Sequence, residues 1–404
     1  MKVIVIGGGA SGMLAALSAA EDKNNEITLL ERQNRVGRKL LATGNGRCNL
    51  TNVNAAPSRY PGGGEFAAAA LKRFSVDDTL AFFSRLGLYT VTEPDGRVYP
   101  LSDQANSVVD VLRFALEQEN IAVETSCDVV SVARKARGFS VTSADGRKLF
   151  ADKLIVAAGG CAGKTLGGTK SGYRLLSMLG HSATDLRPSL VQIKTDPTFV
   201  RALKGVRADA ALTAKTAQGV IAKSEGEVQF TDFGVSGPAA FDVSRAVSCA
   251  EQPVTLLLDL LRGTEENEII TRLRERAKRF PALAAAQLLT GMLNTRLGQT
   301  LLKFAKLDPA ASLKDLKEDE LARLAHAIKY FALEADGVLG MEHAQVTAGG
   351  VCTGEFRADT LESRLVPGLF ATGEVLDVDG DCGGFNLQWA WSSGYVAGKL
   401  GGGA

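Results

Sequence analysis

The feature that most narrows what this chain can fold into lies within its first 31 residues. VIVI at 3–6 is an apolar strand-like run, GGGASG at 7–12 a glycine turn, small residues continue helically to about Glu21, and EITLLE at 26–31 returns to strand. That order makes a βαβ unit, and such units build parallel sheets. The turn carries Gly7-x-Gly9-x-x-Gly12, and Glu31 ends the next strand 19 residues after Gly12. Gly7 permits the tight turn, Gly9 lets backbone approach a pyrophosphate, and Gly12 lets helix pack on strand, while amides at the helix N-terminus meet negative charge. Glu31 can accept hydrogen bonds from an adenosine ribose and would repel a 2′-phosphate. The expected ligand is a dinucleotide with a free ribose.

At 404 residues the chain has room for two to three domains of about 150 residues each. Forty-six Lys and Arg against 45 Asp and Glu create no overall field for nucleic acid or an anionic membrane, and neither is expected as a partner. The 44 glycines exceed the usual share of roughly 7 percent and point to tight backbone approaches. Six cysteines form no C-x-x-C, and His181, His326 and His343 lack ligand spacing, so no disulfide framework and no metal are expected. Met1-Lys2 leads straight into a strand, and no apolar run reaches the roughly 18 residues of a membrane span; a cytoplasmic location is expected. Gly163-Lys164-Thr165 imitates a phosphate loop, but Ala158 stands where its first glycine belongs. Gly234-x-Ser236 lacks the second flanking glycine of a nucleophile elbow, because position 238 is Pro.

Residues 35–52 are too polar and glycine-interrupted for a core element, and read as a functional loop with one helical turn. Helical periods are expected over 65–86 and 103–119, and strands at 121–125, 128–134, 138–143 and 153–158. From Ser189, alternating runs such as ALTAKT, VIAKSEGEVQF and VTLLLDL indicate a β-rich unit, and Glu265 to Glu334 carry leucines at helical spacing. After Val346 the glycine-punctuated style of the N-terminus returns. The expectation is an α/β chain in three parts: a discontinuous dinucleotide-binding domain from 1–190 and 346–404, an inserted β-rich substrate domain from 191–262 and 335–345, and a helical cap from 263–334. The inserted parts are expected to close over the cofactor, with substrate at their junction.

LIVAAGG at 154–160 and LFATGE at 369–374 are apolar strands ending in small residues, which would let backbone pass close to a long extended cofactor. With VGRKLLATGNGRCNLTN (36–52), GRVYPLSDQANSVVDVL (96–112), FGVSGPA (233–239), VTAGGV (346–351) and LVPGLFATGEVLDVDGDCGGFNLQWAWSSGYVAGKL (365–400), the chain resembles the FAD-dependent oxidoreductases of the glutathione-reductase-like superfamily. Within it, the whole chain is similar to the three-domain bacterial flavoproteins that include aminoacetone oxidase and the BaiN-type dehydro-bile-acid reductase.

The resemblance implies a Rossmann-like FAD-binding domain with adenine near the backbone of Val129, the ribose on Glu31 beside Arg32, and the pyrophosphate near Ala10, Ser11 and Gly12. It implies Gly37, Arg38 and Lys39 beside the adenosine and phosphates. The loop of Thr43, Gly44, Asn45, Gly46, Arg47, Cys48 and Asn49 runs along the flavin, with Arg47 or Asn45 donating hydrogen bonds. Ala158, Gly159 and Gly373 allow close approach, and Glu374 takes the ribityl or phosphate region. Gly383, Gly384, Phe385, Asn386 and Leu387 start a last helix whose amides aim at flavin N1 and C2=O. That helix is expected to turn Leu387, Ala390, Trp391 and Gly394 inward and to leave its first amides bare at Gly383 and Gly384. Asp232 stands where this family commonly has His, so a relative's substrate does not transfer.

The implied function is an FAD-dependent oxidoreductase passing hydride through flavin N5 to or from a small organic substrate, as an NAD(P)H-dependent reductase or an amine oxidase. The alternative is a flavin-binding sensor or RNA-modification partner without turnover. No second strand-glycine-helix fingerprint exists, so NAD(P)H would visit only transiently as reductant. The sequence names no catalytic side chain.

Overall fold

In a computed structural model that describes residues 1–402, the N-terminal apolar run forms the strand Lys2–Ile6, central in a five-stranded parallel sheet. From edge to edge the strands are Leu369–Ala371, Lys153–Val156, Lys2–Ile6, Glu26–Leu30 and Ile121–Glu124. Phe370 lies beside Ile155, Leu154 beside Ile4, Val5 beside Leu29, and Leu29 beside Val123. A parallel sheet covered on both faces needs continuous apolar strands, and Val3, Val5, Ile155, Val156 and Phe370 are all buried.

The helices Ala10–Ala19 and Phe385–Gly398 approach backbone to backbone. A Cβ on Gly394 would stand 2.4 Å from the Ser11 carbonyl oxygen, and one on Gly398 would stand 2.5 Å from that of Ala15. The last helix is buried almost all round rather than along the one face expected. Gln388, Trp389, Ser392 and Ser393 are buried, whereas Leu387 and Ala390 are half-buried. A helix sandwiched within a domain has no solvent side to polarise its sequence.

Two smaller antiparallel sheets join this unit: Val129–Arg134, Phe139–Ser143 and Lys148–Ala151, and Thr51–Asn52, Arg97–Pro100 and Thr90–Thr92. The helical period expected across 65–86 is broken into Gly64–Arg73 and Val76–Arg85. Ser75 breaks it: its hydroxyl accepts from the Asp78 N–H at 3.2 Å while the Asp78 carboxylate accepts from the Ser75 N–H at 2.9 Å. This reciprocal cap was written in the sequence as Ser-x-x-Asp.

The chain forms two compact units, Met1–Arg187 with Gln345–Ala404, and Pro188–Ala344. The second is built on a closed barrel in the order Ile193–Thr195, Gly234–Ser236, Gly219–Phe230, Arg207–Thr216, Val254–Asp259 and Phe331–Val338. Val254, Leu256 and Leu258 are buried with half-buried residues between them, the period of two that a barrel wall requires. The strand-like reading of this region missed the helix Pro238–Cys249, whose Ala239, Ala240, Val243 and Val247 enter the barrel's core. Its signal is Pro238 at the first helical position directly after Gly237. The stretch 263–334, expected as a separate cap, holds the helices Glu266–Arg279, Thr295–Phe304 and Glu318–Lys329. Their Leu273, Leu301 and Leu324 share one hydrophobic cluster with Leu256, Leu258 and Phe331 of the barrel. Among the described residues no helix is long and apolar enough to cross a membrane, and no three His, Cys, Asp or Glu gather as a metal site.

Candidate functional site

Gly7 follows the first strand with φ +111°, and a Cβ there would fall 2.3 Å from the Ala157 carbonyl oxygen. Gly12 would drive its own to 1.8 Å from the Gly7 carbonyl oxygen. Only glycine fits both positions. Gly9 differs: it caps the helix Ala10–Ala19 without a side-chain acceptor, and a Cβ on it would meet nothing within 4 Å. Open space above a bare helix N-terminus is a cradle for an anion. Gly159, next to Ala158 past the strand Lys153–Val156, is equally open.

Glu31 braces this turn. Its Oε2 accepts from the Gly8 N–H and its Oε1 from the Gln33 N–H, both at 2.7 Å. Each oxygen keeps a further lone pair for a ribose hydroxyl. Arg32 donates to the Gly167 carbonyl at 3.0 Å, Arg38 to Gln33 Oε1 at 2.6 Å, and the Gly37 N–H to the Gly8 carbonyl at 2.8 Å. Val129 is buried two residues beyond Cys127, whose N–H donates to the Glu31 carbonyl at 2.9 Å.

The loop from Thr43 to Asn49 is built from left-handed residues: φ is +56° at Gly44 and Asn45, +86° at Gly46 and +60° at Cys48. The Cys48 N–H donates to the Thr43 carbonyl at 3.0 Å and closes the loop. Burial pushes the Cys48 thiol up to about 12, far from thiolate chemistry. Arg47 turns toward Glu93, Asp103 and the ring of Tyr99.

Glu374 joins two halves of the site. Its Oε2 pairs with Lys39 Nζ at 2.7 Å, and its Oε1 accepts from the Thr347 N–H at 2.9 Å. Gly373 donates to Ser393 Oγ at 3.0 Å, and a Cβ on it would fall 2.5 Å from Ser11 Oγ. The glycine turn and the strand ends at 157–160 and 373–374 therefore meet. One buried hydroxyl in this unit, Thr372 Oγ1, makes no hydrogen bond. Burial, with Glu374 nearby, pushes the Tyr173 phenol up. An orphaned buried hydroxyl is uncommon in a finished interior, and the Gly9 cradle and the Glu31 carboxylate beside the same turn fit an extended dinucleotide such as FAD.

At the last helix the expectation needs correction. Gly384 is the N-cap at φ +101°, and its N–H is engaged by Asn49, whose amide oxygen accepts it at 3.2 Å while Asn49 donates to the Thr51 carbonyl at 3.1 Å. The amides heading the helix are thus those of Phe385, Asn386 and Leu387. The Asn386 side chain folds back on the preceding loop, accepting from the Gly380 N–H at 2.9 Å and donating to its carbonyl at 2.8 Å. The Gly383 carbonyl accepts from Asn52 Nδ2 at 2.9 Å, and the Phe385 carbonyl from the Tyr60 hydroxyl at 2.9 Å. Sequence reasoning gave no role to Thr347, Tyr173, Tyr99, Glu93 and Asp103: three of them lie within the stretches 96–112 and 346–351, but all are far along the chain from their partners.

The profile of the family described as HI0933-like protein Rossmann domain matches residues 1–400. A 3-dehydro-bile acid delta(4,6)-reductase of Clostridium scindens is 40% identical over 98% of this chain and 98% of its own. A ribosomal RNA dihydrouridine synthase of Escherichia coli is 31% identical over 97% of this chain and 96% of its own. Among solved structures, 3-ketosteroid delta1-dehydrogenase from Sterolibacterium denitrificans shares the fold at a TM-score of 0.51 and 14% identity, over 98% of both chains.

Proposed function

The chain belongs to the HI0933-like family of Rossmann-domain proteins, and from that membership we infer that it is an FAD-dependent oxidoreductase. We further infer that it adds hydrogen across a carbon–carbon double bond conjugated with a carbonyl in a small organic molecule. The observation that carries this reading is the full-length similarity, 40% identical over 98% of both chains, to a bile acid reductase. The names of both curated relatives describe one chemistry, the saturation of a double bond conjugated with a carbonyl. The Escherichia coli relative favours a second reading, a uracil ring within RNA. A net charge of +1 weighs against it, because RNA affinity draws on phosphate neutralisation.

FAD, when bound, supplies the ring that carries hydride. The chain's own residues supply the grip. The N-terminus of the helix Ala10–Ala19 receives the pyrophosphate, Glu31 the adenosine ribose, and the Lys39–Glu374 pair the ribityl and phosphate region. The amides of Phe385, Asn386 and Leu387 stabilise negative charge at their end of the ring by roughly 0.3–2 kcal/mol. In this reading the reductant is NAD(P)H, acting transiently.

The test is anaerobic. Denaturation should release FAD into solution, because Cys48, the one thiol in the Thr43–Asn49 loop, is buried and held protonated. NADH or NADPH should bleach the holoprotein, and a 3-oxo-4-ene steroid should restore its colour faster than rRNA or an amine does. Recovery only with uridine-containing RNA would select the second reading. Bleaching by amines without NAD(P)H would overturn the reductase.

A further inference from the structure

Arg47 sits in the loop that the functional reading sets along the isoalloxazine ring, yet its guanidinium is committed elsewhere. Its Nη2 donates to Glu93 Oε1 at 2.9 Å, its Nε donates to Asp103 Oδ1, and its Cζ lies 3.9 Å from the centre of the Tyr99 ring. Glu93 belongs to the turn between the strands Thr90–Thr92 and Arg97–Pro100, and Asp103 stands at φ +57° before the helix Ala105–Leu116. Tyr99 also backs the loop, because a Cβ on Gly44 would reach 3.2 Å from its ring. Non-glycine residues in the left-handed region are uncommon, Asn and Asp less so than others, and they persist where the surroundings hold them. Asn45, Cys48 and Asp103 are three such residues, and Arg47 ties together the segments that hold them.

We propose that Arg47 is a positioning residue: by clamping Tyr99, Glu93 and Asp103 it holds the Thr43–Asn49 loop in its left-handed form, and the loop's backbone, not the guanidinium, meets the cofactor. The proposal rests on the reading of this chain as an FAD protein. A lysine cannot replace the clamp, since it lacks both the planar fork and the stacking face.

Two sets of changes break the clamp from opposite sides. Arg47→Lys keeps the charge and loses the fork, whereas Glu93→Ala with Asp103→Gly removes both carboxylate acceptors, tolerates the positive φ at 103 and leaves Arg47 in place. All three side chains are at least a third exposed, so the fold should survive. In apoprotein, hydrogen exchange at the Arg47 and Cys48 amides should accelerate about tenfold in both variants, the scale of two exposed ion pairs. The FAD dissociation constant should rise by a similar factor in each, and combining the changes should add little, because they dismantle one unit. Suppose instead that Arg47→Lys weakens FAD while the Glu93/Asp103 variant keeps wild-type exchange and affinity. Arg47 would then touch the cofactor itself, and the proposal is overturned. Wild-type protein that binds no FAD would overturn the functional reading, whereas faster exchange in both apo variants would still support the clamp.

Discussion

Glu31 shows how a residue found by spacing can have a second duty that spacing does not reveal. Its place after the glycine turn marked it for a ribose, but its carboxylate also ties down the Gly8 and Gln33 amides. Glu31→Ala should therefore lower the FAD affinity by about 1–3 kcal/mol and also lower the melting temperature of the apoprotein. An apoprotein as stable as wild type would remove the bracing role. Cys48, buried and held protonated, should resist a thiol reagent at pH 8 while exposed Cys249 reacts within the same assay. Glu355 carries a pH dependence. Burial opposes its charge, but hydrogen bonds from Ser182 and His181, the latter at 2.6 Å, outweigh it and leave the carboxyl below its ordinary value. Its contribution is complete above the unfolded value of about 4.3 and is lost as pH falls through the lower native value. Melting temperatures of wild type should thus fall more steeply between about pH 5 and 3 than those of Glu355→Gln. Parallel curves would dismiss the idea.

At the scale of elements, the regular parts were legible and the polar seams were not. The βαβ unit, its glycines and the helix near 105–116 follow from periodicity, which reports which face is buried. The last helix defeats that reasoning because it is buried on every side, so its buried Gln388 looks in sequence like a solvent-facing residue. Gln388 donates to Thr79 Oγ1 and Ser392 Oγ at 2.9 Å and accepts from Thr51 Oγ1 at 2.6 Å, joining three elements. Gln388→Leu should cost about 1–3 kcal/mol, chiefly by stranding the Thr51 hydroxyl, since Thr79 and Ser392 keep their bonds to the Ser75 and Phe74 carbonyls, and should show as a lower midpoint in urea. An unchanged midpoint would show that water takes its place. At the head of the same helix Gly384 faces the Thr51 carbonyl, and a Cβ there would stand 2.5 Å from its oxygen. Gly384→Val should therefore cut FAD content and stability together rather than shift the flavin potential at full occupancy.

For the whole molecule, the two units differ in how the chain builds them. Pro188–Ala344 is contiguous and carries its own barrel core, with Leu256, Leu258, Phe331 and Leu324 in one cluster. Expressed alone, this segment should unfold in a single cooperative transition by circular dichroism; a gradual, featureless melt would count against it. The other unit is assembled from both ends of the chain, which is why the division was readable from the glycine-punctuated style returning after Val346, while the closure of the barrel, set by pairings between distant strands, was not.

The parallel sheet also fixes an order of events at the ribosome. Its strand Leu369–Ala371 and the helix that covers Ser11 and Ala15 are translated long after their partners Lys153–Val156 and Ala10–Ala19. The strands Lys2–Ile6, Glu26–Leu30, Ile121–Glu124 and Lys153–Val156 can pair once Val156 has emerged, but the open edge of Lys153–Val156 must wait for Leu369–Ala371, and the unit Pro188–Ala344 between them can finish folding first. Translation therefore runs against the usual N-terminus-first sequence. A premature stop before Leu369 would leave a folded centre flanked by an orphaned N-terminal half, a species that chaperones and proteases should recognise at once.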